Sequence, residues 1–231
     1  MNQIPSRYLI NLTNCNYELL AEASPLEHKL DTLLQGVGFI RCRNPKTPLA
    51  SDVYDCKSYQ FDPEGATELI LYEGGHISIH TWPEKNKAAI DIVGVKNYPV
   101  FLAGLKQVLP GTYLLSPFPQ EDVGREVVGR LNQVKYAGAL ESGKSLLKLL
   151  RDTAKGANFH IVEEISGESI NTIDAAVVLS ESHFSAHYNR ATRNMEVDIF
   201  TCGEEGNPLV GFDLLVKTLE PKEKSREFFY R

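Results

Sequence analysis

The feature of this 231-residue sequence that most constrains its fold is an internal repeat at an offset of 107 positions. Residues 75–96, GHISIHTWPEKNKAAIDIVGVK, align without a gap on residues 182–203, SHFSAHYNRATRNMEVDIFTCG. The identical positions are His76/His183, Ser78/Ser185, His80/His187, Asp91/Asp198 and Ile92/Ile199. Because repeats of this length are structural units, we expect two similar halves, and the length allows one large hydrophobic core or two small ones.

The order of predicted elements around the repeat indicates an α+β fold in each half. In the first half, strand patterns lie near 7–13, 37–43, 57–61, 67–73, 76–81 and 88–94, and helix patterns at 25–36 and 98–108. In the second half, strands are predicted at 133–140, 158–165, 174–180, 183–188, 195–201 and 225–231, and helices at 143–156 and 208–218. We therefore predict an N-terminal repeat over 1–115, a Pro-, Gly- and charge-rich connector over 116–132, and a C-terminal repeat over 133–231.

Composition and charge exclude several classes of function. A formal net charge of −6 without clustered Lys or Arg argues against nucleic-acid binding. The sequence contains neither a membrane-spanning apolar run nor a secretory signal, so we expect a cytoplasmic protein. The four cysteines form no CxxC pair, which argues against a zinc ribbon and a disulfide scaffold.

Two motifs suggest alternatives that their context does not favour. His76, His80 and Glu84 could be read as zinc ligands, but four residues along a strand span about 13 Å, too far for one metal ion. No metal is therefore predicted. Residues 138–145, GALESGKS, fit a phosphate-binding loop, but no series of parallel βαβ units surrounds them. A helix start is the better interpretation.

The segments SESHFSAH and DIFTCG in the second half resemble the self-cleavage region of the S-adenosylmethionine decarboxylase proenzymes. Ser182 and Cys202 keep that family's separation of twenty positions. The first half adds FDPEGAT, GHISIHTWPE and AAIDI, so the resemblance covers nearly the whole chain. Since many bacterial members are single-repeat chains that pair as homodimers, it implies two fused repeats in an αββα sandwich, with antiparallel sheets face to face and helices outside.

The resemblance also implies a chemistry. Ser182 would attack the carbonyl of Glu181, giving fragments 1–181 and 182–231, and the new N-terminus would become a pyruvoyl group. That group would form a Schiff base with a small-molecule substrate and accept the electrons released with CO₂. The implied reaction is decarboxylation of S-adenosylmethionine for spermidine, and hence polyamine, biosynthesis, without a metal.

The implied site residues are divided between the repeats. The second repeat carries Ser182 and Cys202, the latter as proton donor to the substrate carbon. The first has lost the Glu-Ser pair to Gly74 and Gly75, but it retains the complementary residues: Thr67 as hydrogen-bond donor, His80 as general base, Glu84 for ribose and Phe61 for adenine. His187 is interpreted as a structural or solvent-facing leftover of the duplication.

Several alternatives stay open from the sequence. Leu140 falls near the position where some relatives place a second adenine-stacking aromatic, so the substrate could instead be arginine or ornithine. Arg190 and Arg193, in a segment unlike the family's, could lie on the surface or alter the preferred substrate charge. A pseudoenzyme that does not cleave itself, and further dimerisation of the fused chain, also remain possible.

Overall fold

The computed structural model describes residues 7–36, 53–61, 64–95, 97–115, 124–135, 140–180, 182–202 and 206–231. The chain divides into two compact units, residues 1–118 and 119–231. Each has a six-stranded antiparallel sheet and its own hydrophobic core. Within the described part of the chain, no helix is both long and apolar enough to cross a membrane.

The first unit is a sheet with strand order β2-β3-β4-β5-β1-β6 and helices against one face. Its strands are β1 (Arg7–Thr13), β2 (Val53–Gln60), β3 (Ala66–Tyr72), β4 (Gly75–Trp82), β5 (Lys87–Val93) and β6 (Thr112–Leu115). Its helices are α1 (Tyr17–Leu20), α2 (Ala23–Gly36) and α3 (Tyr98–Val108), and a 3-10 turn covers Pro83–Lys85. Helix α2 buries one leucine stripe against the sheet, formed by Leu26, Leu30, Leu33 and Leu34.

The second unit repeats this arrangement with strand order β12-β7-β11-β10-β9-β8. Its strands are β7 (Arg125–Asn132), β8 (Ile161–Glu168), β9 (Thr172–Leu179), β10 (Ser182–Asn189), β11 (Asn194–Thr201) and β12 (Glu223–Tyr230). Its helices are α4 (Gly143–Gly156) and α5 (Pro208–Leu219). By order in the sheet, β7 to β12 correspond to β1, β2, β3, β4, β5 and β6.

The GKS segment begins helix α4, as the sequence context predicts. Ser142 is the N-cap, and its hydroxyl accepts the backbone N–H of Ser145 at 3.2 Å. The Ser145 hydroxyl in turn accepts the Ser142 backbone N–H at 2.8 Å. This reciprocal capping box satisfies the first N–H groups of the helix with the protein's own hydroxyls.

The start of the second unit differs from the prediction. Residues 125–132 were assigned to the connector but form β7, a central strand, whereas residues 133–135 are not in a strand. The glycine and the three charged residues of REVVGRLN hide its alternation. Gly129 is needed there because a Cβ would lie 2.1 Å from a ring carbon of Phe212 in α5.

This shift also changes the interpretation of Leu140. The residue lies just before α4, is buried in the core on the helix side of the sheet, and does not belong to the first strand of the repeat. It therefore fails as the first-strand position for an adenine-stacking residue. Elements β6 and α1 were not predicted, and the strand predicted at 37–43 falls outside the described residues.

Candidate active site

Each sheet carries a row of buried polar side chains on the face away from its helices. In β4, Ile77 and Ile79 pack in the helix-side core. Strand alternation therefore turns His76, Ser78 and His80 to the opposite face, where all three are buried. Strand β10 follows the same pattern with His183, Ser185 and His187. The strands predicted at 76–81 and 183–188 are confirmed.

Thr67 and His80 form a buried hydrogen-bonded pair in the first unit. They are direct cross-strand neighbours on β3 and β4, and 2.8 Å separates Thr67 Oγ1 from His80 Nδ1. Neither residue is exposed to solvent. When Nδ1 carries the proton and donates to the hydroxyl, Nε2 is the unprotonated nitrogen, which is the one that can accept a proton. The structure thus joins two residues that the family resemblance implicates separately.

The equivalent pair in the second unit has a different chemistry. His187 Nδ1 lies 2.8 Å from Asp174 Oδ1, and Asp174 Oδ2 accepts the Thr172 hydroxyl at 2.7 Å. A carboxylate, unlike a hydroxyl, can form an ion pair with an imidazolium. His187 is only 5% exposed, so it is structural rather than solvent-facing.

Ser182 and Cys202, which keep the family's separation in sequence, lie side by side. Ser182 opens β10 and is almost completely buried. Its Oγ accepts the backbone N–H of Cys202 at 3.1 Å and lies 4.0 Å from the Cys202 thiol. Glu181, the other half of the proposed scissile bond, lies outside the described residues. An N–H aimed at a serine oxygen stabilises the negative charge that the oxygen acquires as a nucleophile.

Phe61 and the turn that carries Glu84 come together at Gly65. Gly65 has a φ of 105°, and a Cβ there would lie 3.2 Å from the Phe61 ring and 3.3 Å from Pro83 Cδ. Gly65 directly precedes β3, near Thr67, so these groups share one end of the first sheet. The Phe61 ring is half-buried, and Glu84 is exposed on the 3-10 turn.

Tyr59 is a candidate that the sequence reasoning missed. It is the direct cross-strand neighbour of Thr67 and therefore shares the face of the sheet that carries Thr67. Its ring meets Phe61 edge to face, with centroids 5.5 Å apart and planes at 71°. The available signal was the two-residue spacing of the aromatic residues in YQF, which places both rings on one face.

In the first unit, backbone atoms occupy the space that the serine side chain fills in the second unit. A Cβ on Gly75 would lie 2.1 Å from the carbonyl oxygen of Val93. Gly94, with a φ of 80°, turns the chain after β5, and its own Cβ would lie 2.7 Å from the Gly74 carbonyl oxygen. The equivalent strand β11 continues one position further, to Thr201. This end of the first repeat has therefore lost the space for a serine as well as the serine itself.

The two arginines of the unusual segment bind other loops of the second unit. Arg190 donates to the Glu168 carboxylate at 2.9 Å and to the Glu141 carbonyl oxygen at 3.3 Å. Arg193 donates to the carbonyl oxygens of Val134 and Lys135. These contacts hold the β10–β11 turn in place and give both arginines a structural role.

A family model described as S-adenosylmethionine decarboxylase matches residues 6–101 and 127–231. The chain belongs to this family. S-adenosylmethionine decarboxylase family proteins are proenzymes of pyruvoyl-dependent decarboxylases, which generate the pyruvoyl group from their own chain. The match in two segments agrees with the two-repeat arrangement, and the pyruvoyl chemistry expected from the motifs is that of the family.

Individual relatives carry two different substrate names. An arginine decarboxylase proenzyme from Caldivirga maquilingensis is 32% identical over 120 residues, which are 46% of this chain and 87% of the relative. An S-adenosylmethionine decarboxylase proenzyme from a Sulfurihydrogenibium species is 65% identical over 34 residues, covering 15% of this chain and 26% of the relative. The solved adenosylmethionine decarboxylase of Aquifex aeolicus is 21% identical, with a TM-score of 0.44 over 48% of this chain and 92% of that protein.

Proposed function

We propose that this chain is a self-processing, pyruvoyl-dependent decarboxylase of S-adenosylmethionine, whose product serves spermidine and hence polyamine biosynthesis. The observation that carries the proposal is the pairing of Ser182 with Cys202, 3.1 Å from N–H to hydroxyl, in a chain of this family. The hydroxyl is the nucleophile for self-cleavage, and the neighbouring thiol is the proton donor for the decarboxylation.

Processing begins when Ser182 Oγ attacks the Glu181 carbonyl carbon. The peptide C–N bond breaks, an ester forms, and the Cys202 N–H stabilises the oxygen during the attack. Loss of the Ser182 α-proton then breaks the Cβ–Oγ bond and releases Glu181 as a carboxylate. Water replaces the nitrogen of the remaining dehydroalanine as ammonia, which leaves the pyruvoyl group.

The base that we assign to this elimination is His80, a residue of the first repeat, as the family resemblance implies. The first unit keeps a histidine with a hydroxyl partner, but it has glycine at the position equivalent to the reactive serine. The second unit keeps the serine and the thiol, but its own histidine is bound by a carboxylate. This reciprocal division supports the assignment of His80 as the base, with Thr67 as a donor to the tetrahedral intermediate.

After processing, the pyruvoyl carbonyl supplies the electron sink for loss of CO₂. The chain's own residues then fix the substrate and return a proton. The thiol of Cys202 protonates the substrate carbon, the half-buried rings of Phe61 and Tyr59 contact adenine, and Glu84 accepts hydrogen bonds from the ribose hydroxyls.

Arginine is the second candidate substrate, with ornithine as a further basic amino acid. It is favoured by the relatives named arginine decarboxylase proenzymes. An exposed carboxylate such as Glu84 can pair with a guanidinium as well as with a ribose. The aromatic pair beside Thr67 favours the adenine-bearing substrate, because a linear guanidinium substrate does not need two aromatic rings.

Release of labelled CO₂ from carboxyl-labelled S-adenosylmethionine, arginine and ornithine tests the substrate. We expect turnover of S-adenosylmethionine alone, and a higher KM with little change in kcat in Phe61→Ala, because the ring binds a part of the substrate that does not react. Phe228→Ala, on strand β12 of the second unit, is the matched control. Turnover of arginine or ornithine without S-adenosylmethionine would overturn the substrate choice, and a chain that neither cleaves nor turns over any of the three would be a pseudoenzyme.

A further inference from the structure

The second unit contains a buried ion pair to which the proposed function gives no role. Arg231 Nη1 lies 2.7 Å from Glu126 Oε2, and neither side chain is exposed to solvent. The backbone of Arg231 also exchanges hydrogen bonds with Gly124, at 2.9 and 3.0 Å. Because burial of two charges carries a large desolvation cost, such a pair is poor evidence for stability and calls for another explanation.

The ion pair lies against Phe200, a residue of the DIFTCG segment. The Arg231 guanidinium carbon is 5.5 Å from the centre of the Phe200 ring, within the range of a cation–π contact. Glu126 is the direct cross-strand neighbour of Phe200 on β7. A Cβ on Gly124 would lie 2.7 Å from a Phe200 ring carbon, so the ring packs on bare backbone there.

Phe200 connects this cluster to the reacting groups. It precedes Cys202 by two residues, and its cross-strand partner on β10 is His183, the neighbour of Ser182. Beyond Cys202, the carbonyl oxygen of Gly206 accepts a hydrogen bond from the Arg125 side chain at 2.8 Å. The start of β7 therefore fixes the chain on both sides of Cys202.

We propose that the Glu126–Arg231 pair is a positioning element that holds Phe200 and thereby keeps the Cys202 N–H and thiol at the Ser182 hydroxyl. Neither residue is a catalytic residue, since both act through Phe200. The proposal rests on the proposed function, because it assigns the pair to the cleavage and protonation steps of that site.

Self-cleavage followed during cell-free synthesis tests the proposal. We expect Arg231→Met and Glu126→Gln to cleave about ten to a hundred times more slowly than wild type, as for a misplaced reacting group. Arg231→Lys, which keeps the charge, should recover part of the rate. Arg226→Met is the matched control, because Arg226 lies on the same strand β12 and makes an exposed ion pair with Asp213.

A second control separates positioning from stability. Leu215→Ala removes a core side chain on the helix side of the same unit and should lower the Tm without slowing cleavage. The positioning role is wrong if Arg231→Met cleaves as fast as Arg226→Met. It is also wrong if Arg231→Met and Leu215→Ala lose the same Tm and cleave at the same rate.

Thiol labelling gives a readout that does not depend on processing. In Ser182→Ala, which cannot cleave, adding Arg231→Met should increase the alkylation rate of Cys202 several-fold, as followed by peptide mass spectrometry. Cys15 is an internal reference, because burial raises its thiol pKa to about 11 and leaves little thiolate at pH 8. An unchanged alkylation rate of Cys202 would refute the positioning role even if the wild-type chain cleaves. A wild-type chain that never cleaves would refute the proposed function alone.

Discussion

At the scale of single residues, one histidine position has acquired two different partners in the two repeats. His80 has a threonine hydroxyl at 2.8 Å, and His187 has an aspartate carboxylate at the same distance. Each partner occupies the equivalent cross-strand position on the preceding strand. A single difference at that position therefore gives His80 a hydroxyl partner and His187 a carboxylate partner.

The His80→Ala variant tests this division. We expect the chain to stall at the ester between Glu181 and Ser182, because no base removes the α-proton. Hydroxylamine, which cleaves esters, should then release the fragments 1–181 and 182–231 under conditions that leave peptide bonds intact. The measurement is the intact mass before and after hydroxylamine.

The matched control is His187→Ala. It should cleave normally while losing about 3 kcal/mol of stability, because a buried carboxylate loses its partner. Asp174→Thr, which recreates the threonine–histidine pair of the first unit, should lose less. Normal cleavage in His80→Ala, or stalling in His187→Ala, would reverse the two assignments.

The sequence predicted site residues best where a motif fixes their spacing. Ser182 and Cys202 follow from twenty positions of separation, which matches the antiparallel pairing of β10 with β11. Glu126 and Arg231 could not be foreseen, because 105 positions separate them and their pairing depends on β7 and β12 lying side by side. Leu140 was misplaced for a related reason, since its assignment depended on a strand that lies elsewhere.

At the scale of secondary structure elements, the β3–β4 hairpin of the first repeat leaves no room for a side chain at residue 75. Tyr72 donates its hydroxyl to the carbonyl oxygens of His76 and Val93. These bonds hold the Val93 carbonyl close over Gly75, where no side chain fits. Backbone atoms therefore fill the space next to Gly75 that a side chain would need.

We expect Gly75→Ser to restore the serine without restoring cleavage. The Cβ would contact the Val93 carbonyl oxygen at an impossible distance, so strand β5 must shift, at a cost of about 1–3 kcal/mol. Thermal unfolding and intact mass should show a lower Tm and no fragment that ends at Gly74. Gly36→Ser is the control, because no atom of the described residues lies within 4 Å of a Cβ there. If a fragment cut before residue 75 appears, the loss of the serine alone explains why this repeat does not cleave.

Helices and strands with strong periodicity were predictable, and those with mixed composition were not. Helix α4 spans Gly143–Gly156, which is the predicted range, and Ser142 caps its start. Strand β7 was missed because two glycines and three charged residues in and around it look like a linker. Its function as a central strand becomes visible only in the pairing with β11 and β12.

At the scale of the whole molecule, the duplication accounts for the fold of each unit. Both sheets use the same strand order, with the first strand of the repeat beside the fifth. The repeat at an offset of 107 positions made this predictable, because the same pattern must bury the same faces twice. The two units differ at equivalent positions of the repeat: the first has Gly75 where the second has Ser182, and the second has Asp174 where the first has Thr67.

The central claim is that the chain cuts itself before Ser182 to make its own pyruvoyl group. Intact mass spectrometry of the purified protein tests it most directly. The account predicts two chains, residues 1–181 and 182–231, the second with a blocked N-terminus and a mass that fits pyruvoyl in place of serine. A single uncleaved chain of 25.8 kDa after prolonged incubation would contradict it.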